Sequence, residues 1–342
     1  MRLLQAMAGA RHGGAEAFFL RLALALQARD LEQRVVIRPH EQRRAALTAA
    51  HVPVDEQPFG GWLDWRTRRG LGRLIRDWRP NVVLTWMNRA ARACPARDPA
   101  ARFVHVGRLG GYYDLKYYRR CDHLIGNTPD IVDYLRRAGW PEGRSHYVPN
   151  FVSAAPAPAT SRADHDTPEG APLVLALGRL HPNKGFDVLL DALARLPHHW
   201  LWLAGAGPLD AALRIQARRL EIGGRVRFLG WREDVAALMA AADVVAVPSR
   251  IEPLGNVVIE AWAHGVPVVA ATAAGPRQLI EHGVNGLLVP HENAPALADA
   301  IAEIGTGDRA AMIEAGAAAH RAEFTEAAVV DRYTRFFDQV AA

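Results

Sequence analysis

Short runs of β-branched and aliphatic residues alternate with amphipathic stretches from one end of the chain to the other. The apolar runs predict strands at 2–7, 34–38, 81–86, 102–107 and 123–126, and again at 173–178, 200–204, 226–229, 244–247, 266–270 and 286–289. Helix-period patterns lie between them, at 15–29, 185–196, 209–221 and 235–241, and a last one covers 326–340. Strands that are apolar throughout, each followed by a helix, predict parallel sheets covered by helices on both faces. The alternation breaks once. Residues 151–172 are rich in Pro, Ala, Ser and Thr with no period, the composition of an interdomain linker. The pattern therefore predicts an α/β protein with two doubly wound, Rossmann-like domains facing a cleft. The domains are placed at 1–155 and 173–325, with a linker at 156–172 and a C-terminal helix at 326–342 that packs back on the first domain.

Length supports two domains, because 342 residues are many for a single core. No stretch reaches the ~20 apolar residues needed to cross a bilayer. A strand-like run begins at Leu3 and leaves no room for a signal peptide, so a cytoplasmic location is expected. Cys94 and Cys121 form neither a metal nor a disulfide pattern. Charge is shared unevenly. Residues 1–150 carry 25 Lys and Arg against 14 Asp and Glu, whereas residues 151–342 carry 16 against 22. The basic first half suits an anionic partner: nucleic acid, an anionic membrane surface or a phosphorylated glycan. Only two of the cations are lysines, Lys116 and Lys184. Either codon usage explains this, or these positions need a compact, rotatable ammonium.

The densest chemistry lies at 248–290. Glu252 falls in a Pro- and Gly-containing loop after an apolar run, and Glu260 in the amphipathic segment that follows. A strand, a glycine turn and a helix start form a natural phosphate site, since first-turn N–H groups have no partner within the helix. Carboxylates beside such a site are suited to accept hydrogen bonds from sugar and ribose hydroxyls. Arg179 and Lys184 follow the strand at 173–178 and supply two cations for a diphosphate. Gly13 and Gly14, with His12 and Glu16, sit where the first strand turns into the first helix; they allow a phosphate to approach the backbone, or form an ordinary turn. Gly205-Ala206-Gly207-Pro208 resembles half a dinucleotide fingerprint but lacks the third glycine, and reads better as a tight turn. The turn Trp231-Arg232-Glu233-Asp234 offers either a stacking surface for a base or an acidic helix start. Trp62, Trp65 and Trp78 interleave with Arg66, Arg68, Arg69, Arg73, Arg76 and Arg79. That pattern suits a helix on an anionic bilayer, a nucleic-acid contact, or a solvated face over core tryptophans. No metal-ligand spacing and no nucleophile elbow is evident.

The segments GRLHPNKG, AGAGP, FLGWREDVAALMAAADVVAVPS, EPLGNVVIEAWAHGVPVV and EHGVNGLLV occur in the order found in the retaining glycosyltransferases of family 4. The second half resembles that family, and the first half does so more loosely through GGAE and RCDHLIGNTPDIVDYLRRAGWPEGRSHYVPNFV. The likeness is to the bacterial members that build lipopolysaccharide and other envelope glycans. It implies the two-domain GT-B fold. It further implies that Arg179 and Lys184 bind the donor diphosphate, that Glu252 contacts sugar hydroxyls, and that the backbone of Leu254, Gly255 and Asn256 contacts sugar and phosphate. Glu260 would hold the ribose, and Gly13 and Gly14 would approach the diphosphate. Arg232 is included among the substrate-binding residues. There are two departures. Arg108 stands where many members carry a histidine, with His105 inside the strand, and Ala274-Gly275-Pro276-Arg277-Gln278 replaces GG-x-P-E.

The expectation is a cytoplasmic enzyme, peripheral at the membrane through the 62–79 segment. It would transfer a sugar with retention from a nucleotide diphosphate, UDP first and GDP-mannose second, to a lipopolysaccharide-core or other lipid-linked glycan. No cofactor, metal or nucleic acid is expected. The alternatives are an epimerase or phosphorylase on the same fold, or a non-catalytic nucleic-acid-binding protein.

Overall fold

The computed structural model describes residues 1–10, 13–61, 63–96, 102–306 and 309–341. Contacts divide it into two compact units, Met1–Phe151 with Glu326–Ala342, and Val152–Thr325.

The first unit is built on strands β1 (Arg2–Met7), β2 (Glu32–Ile37), β3 (Val54–Glu56), β4 (Val82–Trp86), β5 (Val104–Leu109), β6 (His123–Gly126) and β7 (Ser145–Tyr147). They form one parallel sheet in the order β3-β2-β1-β4-β5-β6-β7. Every residue of β4 is buried, as a parallel strand covered on both faces requires. Helices Gly14–Gln27, Glu41–Ala49, Trp65–Trp78, Met87–Ala93 and Pro129–Arg137 make the crossovers. Strand order reverses between β1 and β4, so the loops leaving these two strands diverge and open a crevice at their carboxyl ends.

The C-terminal helix, Glu326–Ala341, belongs to this first unit. It buries Val329, Val330, Tyr333, Phe336 and Phe337 in the cluster that contains Phe18, Trp86 and Phe151. Each such side chain contributes about 1.5–3 kcal/mol by leaving water.

The second unit carries β8 (Leu173–Leu177), β9 (Trp200–Ala204), β10 (Val226–Gly230), β11 (Val244–Val247), β12 (Val268–Ala271) and β13 (Leu287–Val289). These are parallel in the order β10-β9-β8-β11-β12-β13. The reversal here lies between β8 and β11, which places the loops at 178–185 and 248–255 side by side.

The boundary between units falls at Phe151/Val152, and the Pro- and Ala-rich stretch after it packs on the second unit. Val152 donates its N–H to Phe324 O at 3.0 Å, and Thr160 donates to Ala237 O at 3.0 Å. Arg162 donates to the carbonyls of Glu169, Ala171 and Ala241 and pairs with Asp243 at 3.0 Å. Trp202 Nε1 donates to Thr167 Oγ1 at 2.9 Å. An extended segment held by such individual bonds shows no period, so its composition resembles that of a free linker.

Among the described residues no helix is long and apolar enough to cross a membrane. Cys94 and Cys121 are buried free thiols, and burial pushes the Cys94 thiol up to about 12.

Candidate active site

The loop after β8 begins at Gly178 and Arg179 and tightens into a 3-10 turn, Pro182–Lys184, in which Asn183 N donates to His181 Nδ1 at 3.3 Å. Gly185 ends the turn with φ of 63°, and a Cβ there would lie 2.1 Å from Pro248 O. Only glycine lets the two loops touch at this point. Two backbone bonds extend the contact, from Arg250 N and Ile251 N to Asn183 O at 2.8 and 3.1 Å.

Arg250 locks the arrangement. Its guanidinium donates to both oxygens of Asp187 at 2.7 and 2.6 Å, to Pro182 O at 2.8 Å, and to Glu292. These bonds hold the Asp187 carboxyl below its usual range. Asp187 lies in the first turn of the helix Phe186–Leu193, so Arg250 ties the 182–185 turn, the start of that helix and the loop at 292 to one point. The sequence reading missed this trio. Its members are far apart in the chain, and each alone looks like a surface charge.

Two residues beyond Arg250, Glu252 faces the Lys184 ammonium and forms an ion pair with it through Oε2. Ser249 Oγ lies 3.4 Å from the same oxygen, and Gly255 N donates to Oε1 at 3.3 Å. The Lys184 and Glu252 side chains are only 23% and 12% exposed, so water screens this pair weakly. Gly255, at φ of 83°, caps the helix Asn256–Ala263 and, being glycine, offers no side chain of its own to the first N–H groups. The arrangement is a cation, a carboxylate and a helix N-terminus in one strand-end loop pair, which suits an anion bearing hydroxyl groups.

The remaining sequence-selected residues are placed as follows. Leu254 is buried in the apolar cluster under the loop. Asn256 opens the helix, and half-buried Glu260 lies one turn on, along the same face. Arg179 is exposed, without a side-chain partner among the described residues. Arg232 turns back on its own loop, Nε donating to Asp234 Oδ1 at 2.8 Å. Trp231, beside it, is half exposed. The segment 205–208 stitches strand ends together, with Gly205 N donating to Gly230 O at 2.7 Å and Leu180 N to Ala206 O at 3.1 Å. In the 274–278 segment Gly275 N donates to Glu252 O at 2.7 Å, and Arg277 and Gln278 are exposed.

In the first unit Gly13 precedes the helix Gly14–Gln27. Glu16 folds back over this entrance and accepts from Ala10 N at 2.7 Å; a Cβ on Gly13 would lie 2.3 Å from Glu16 Oε2. Gly13 is thus small because a carboxylate occupies the adjoining space. His12 lies outside the described residues. Arg108, at the end of β5, is 2% exposed. Its Nε donates to Tyr333 Oη at 2.8 Å, Nη2 bonds Asn150 Oδ1, and its guanidinium carbon lies 4.7 and 4.5 Å from the Phe18 and Trp86 ring centres. Arg108 anchors the C-terminal helix. His105 is buried in β5, its Nε2 3.0 Å from Thr85 Oγ1. The helix Trp65–Trp78 is capped by Asp64 and buries Thr67, Leu71, Gly72 and Ile75, while Leu63 and Trp65 are 78% and 63% exposed. Trp62 lies outside the described residues. Among those described, no group of three or more His, Cys, Asp and Glu side chains is placed to hold a metal ion.

Two parallel, doubly wound units, the second with this charged loop pair at its switch point, have the architecture of the GT-B glycosyltransferases. The structure superposes on that of HepE from Anabaena, solved with UDP-glucose, at a TM-score of 0.84 and 25% identity, covering 99% of this chain and 100% of that one. Residues 12–155 match the family model Glycosyltransferase Family 4, and residues 171–306 match Glycosyl transferases group 1. The chain belongs to family 4 of the glycosyltransferases. It is 36% identical over 328 residues to the lipopolysaccharide core biosynthesis glycosyltransferase LpsE of Rhizobium meliloti, covering 94% of this chain and 95% of LpsE. It is 35% identical over 339 residues to LpsD of the same organism, which carries the same description, covering 96% of each.

Proposed function

We propose that this glycosyltransferase takes a sugar from a uridine diphosphate donor and passes it, with retention of configuration, to a lipopolysaccharide-core or related envelope glycan on the cytoplasmic side of the membrane. GDP-mannose is the second choice of donor. The observation that carries the reading is the Lys184–Glu252 pair beside the helix start at Asn256. A diphosphate would draw the Lys184 ammonium from Glu252 and take up the helix N–H groups, with Arg179 reaching in from its exposed position. Glu252 would then accept from the sugar hydroxyls and Glu260 from the ribose. Attack by the acceptor hydroxyl on the face that the diphosphate leaves, with a leaving phosphate oxygen taking the proton, requires no protein base. Positioning and stabilisation of the departing charge then supply the catalysis, with the cations Lys184 and Arg179 serving without a divalent metal.

The donor is supported by HepE, crystallised with UDP-glucose, and the acceptor by the names of LpsE and LpsD. Exposed Leu63 and Trp65 beside Arg66 and Arg69 suit contact with an anionic bilayer. The test is calorimetric titration with UDP, GDP and ADP, followed by transfer from labelled UDP-sugars to lipopolysaccharide core, with the product anomer read by NMR. Binding of UDP and retained configuration are expected, with transfer abolished in Glu252→Ala. No affinity for any nucleotide diphosphate, or normal turnover in a folded Glu252→Ala variant, would overturn the proposal.

A further inference from the structure

The first unit contains a cavity of about 190 Å³ that the donor chemistry leaves unused. Its walls come from segments that follow three strands: Phe59, Asp64 and Arg68 after β3, Asn88, Arg89 and Arg92 after β4, and Tyr117 after β5. It therefore lies at the carboxyl ends of the sheet's strands, the edge where such sheets bind ligands.

Three arginines line this small space, and none has an ion pair or side-chain hydrogen bond with another described residue. The one carboxylate in the wall does not serve them. Asp64 accepts from Gly60 N at 2.7 Å, from Thr67 N at 3.0 Å and from Thr67 Oγ1 at 2.5 Å. Those bonds fix the 59–67 loop, as does Phe59 N donating to Thr67 Oγ1 at 2.9 Å, and they set the start of the helix that carries Arg68. Two non-glycine residues adopt left-handed backbone here: Phe59 in the wall at φ of 46°, and Met87, immediately before Asn88, at φ of 59°. Surrounding structure must hold such residues in place, and they concentrate at binding sites. Surface arginines usually spread apart or pair with carboxylates. Here three converge, beside the hydrogen-bonding groups of Asn88 and Tyr117.

With Asp64 counted, the cavity carries a balance of two positive charges. A phosphomonoester, at about −1.5 to −2 near neutral pH, matches it, and the forked guanidinium donors fit phosphate oxygens. The volume is several times the ~30 Å³ share of one water, enough for a phosphate with its ester oxygen. We propose that the cavity lined by Arg68, Arg89 and Arg92 is the subsite for a phosphomonoester carried by the acceptor glycan. This inference rests on the transferase reading above and names a chemical feature of its acceptor.

The test uses the full chain and the variants Arg68→Gln, Arg89→Gln and Arg92→Gln, singly and combined, each checked for folding by circular dichroism. UDP is titrated calorimetrically. Glucose 6-phosphate, glucose and inorganic phosphate are titrated by NMR, and transfer is measured on lipopolysaccharide core before and after phosphatase treatment. UDP affinity should stay within twofold in every variant. Glucose 6-phosphate should bind the parent more tightly than inorganic phosphate or glucose, and should lose at least tenfold in affinity in the triple variant. The parent's KM should be lower for the phosphorylated acceptor, and the triple variant should lose that advantage while keeping kcat. The proposal falls if the triple variant binds glucose 6-phosphate like the parent, or if phosphatase treatment leaves the parent's KM unchanged. Binding of inorganic phosphate as tight as that of the sugar phosphate would mark a site for the free anion and would also overturn it. Failure of the parent to bind UDP would instead strike at Lys184 and Glu252, and the sugar-phosphate titration would still judge the cavity.

Discussion

Replacing Arg250 with Lys tests whether the loop pair is positioned by the guanidinium or by charge alone. The substitution keeps a cation but not the fork. An ammonium can reach one Asp187 oxygen or Pro182 O, whereas Arg250 reaches both Asp187 oxygens at 2.7 and 2.6 Å and the carbonyl at 2.8 Å together. Hydrogen bonds to charged groups are worth about 1.5–3 kcal/mol in mutational series, but exposed ion pairs only about 0.2–1. The Arg250 and Asp187 side chains are 26% and 41% exposed, so the pair lies between these cases. Losing part of this network should cost about 1–2 kcal/mol in holding the 182–185 turn against the 248–255 loop, on the scale of those two ranges. If that order is what presents Lys184 and Glu252 to the donor, UDP affinity should fall roughly 5- to 30-fold, since 1.4 kcal/mol is tenfold. The melting temperature should fall by only about 2–8 °C, because the core under the loops is untouched. Calorimetry with UDP reads the first quantity and thermal unfolding the second. Asp187→Asn weakens the Asp187 part of the same network while keeping one acceptor oxygen, so the losses in the double variant should be less than additive. UDP affinity within twofold of the parent in Arg250→Lys, or strictly additive losses in the double variant, would show that Arg250 does not position the site.

Three further outcomes are expected. Arg108→Met strips Tyr333 Oη and Asn150 Oδ1 of a buried donor and removes the cation from between Phe18 and Trp86; a loss of about 2–4 kcal/mol is expected, read by urea unfolding, and an unchanged midpoint would refute it. His146 is depressed from 6.5 to about 4, first by burial and then by neighbouring His123. The unfolded chain therefore takes up this proton before the folded one, so stability present above pH 6.5 should decline as pH falls towards 4, by about 2 kcal/mol after allowance for partial exposure; His146→Gln should flatten that part of the pH–stability curve. Lys184→Arg should lower UDP affinity about tenfold, because the Lys184 stem passes over Gly178, whose Cβ position would lie only 3.3 Å from Lys184 Cε, and leaves little width for a guanidinium; calorimetry matching the parent would show that charge alone suffices.

Strands buried on both faces were legible because burial favours apolar residues along them, even where β1 admits Arg2 and the buried Gln5. The runs at 2–7, 123–126, 200–204 and 244–247 coincide with β1, β6, β9 and β11. Strands β3 and β7 were missed for the converse reason. They are three-residue edge strands, reading VDE and SHY, and an edge strand need not exclude polar side chains. The segment after Phe151 misled through composition. Proline and alanine make a chain extended, but Thr160, Arg162 and Thr167 decide what the extended chain lies against.

The two candidate sites differ in legibility for a physical reason. Lys184 and Glu252 follow adjacent parallel strands, so a strand-end loop with its glycine, its helix start and its charge appears as one contiguous word in each half of the motif. Topology then guarantees that the two words meet, because β8 and β11 are neighbours. Arg250 shows the limit of that reasoning, since adjacency of loops does not reveal which charge bridges them. The arginine cavity belongs to the harder case. Its cations come from helices after β3 and β4, and β3 is separated from β4 by β2 and β1 in the sheet. Along the chain Arg68 belongs to a run of arginines that invites a surface reading. Arg66, Arg69, Arg73 and Arg76 lie exposed on that helix; Arg68, itself exposed, also lines the cavity, because Asp64 and Thr67 fix where the helix begins. A shift of that start by one residue would turn each side chain by about 100°, from one face of the helix to another, and would carry Arg68 away from Arg89 and Arg92. The cap at Asp64, more than the number of arginines, therefore determines whether this basic segment makes a site.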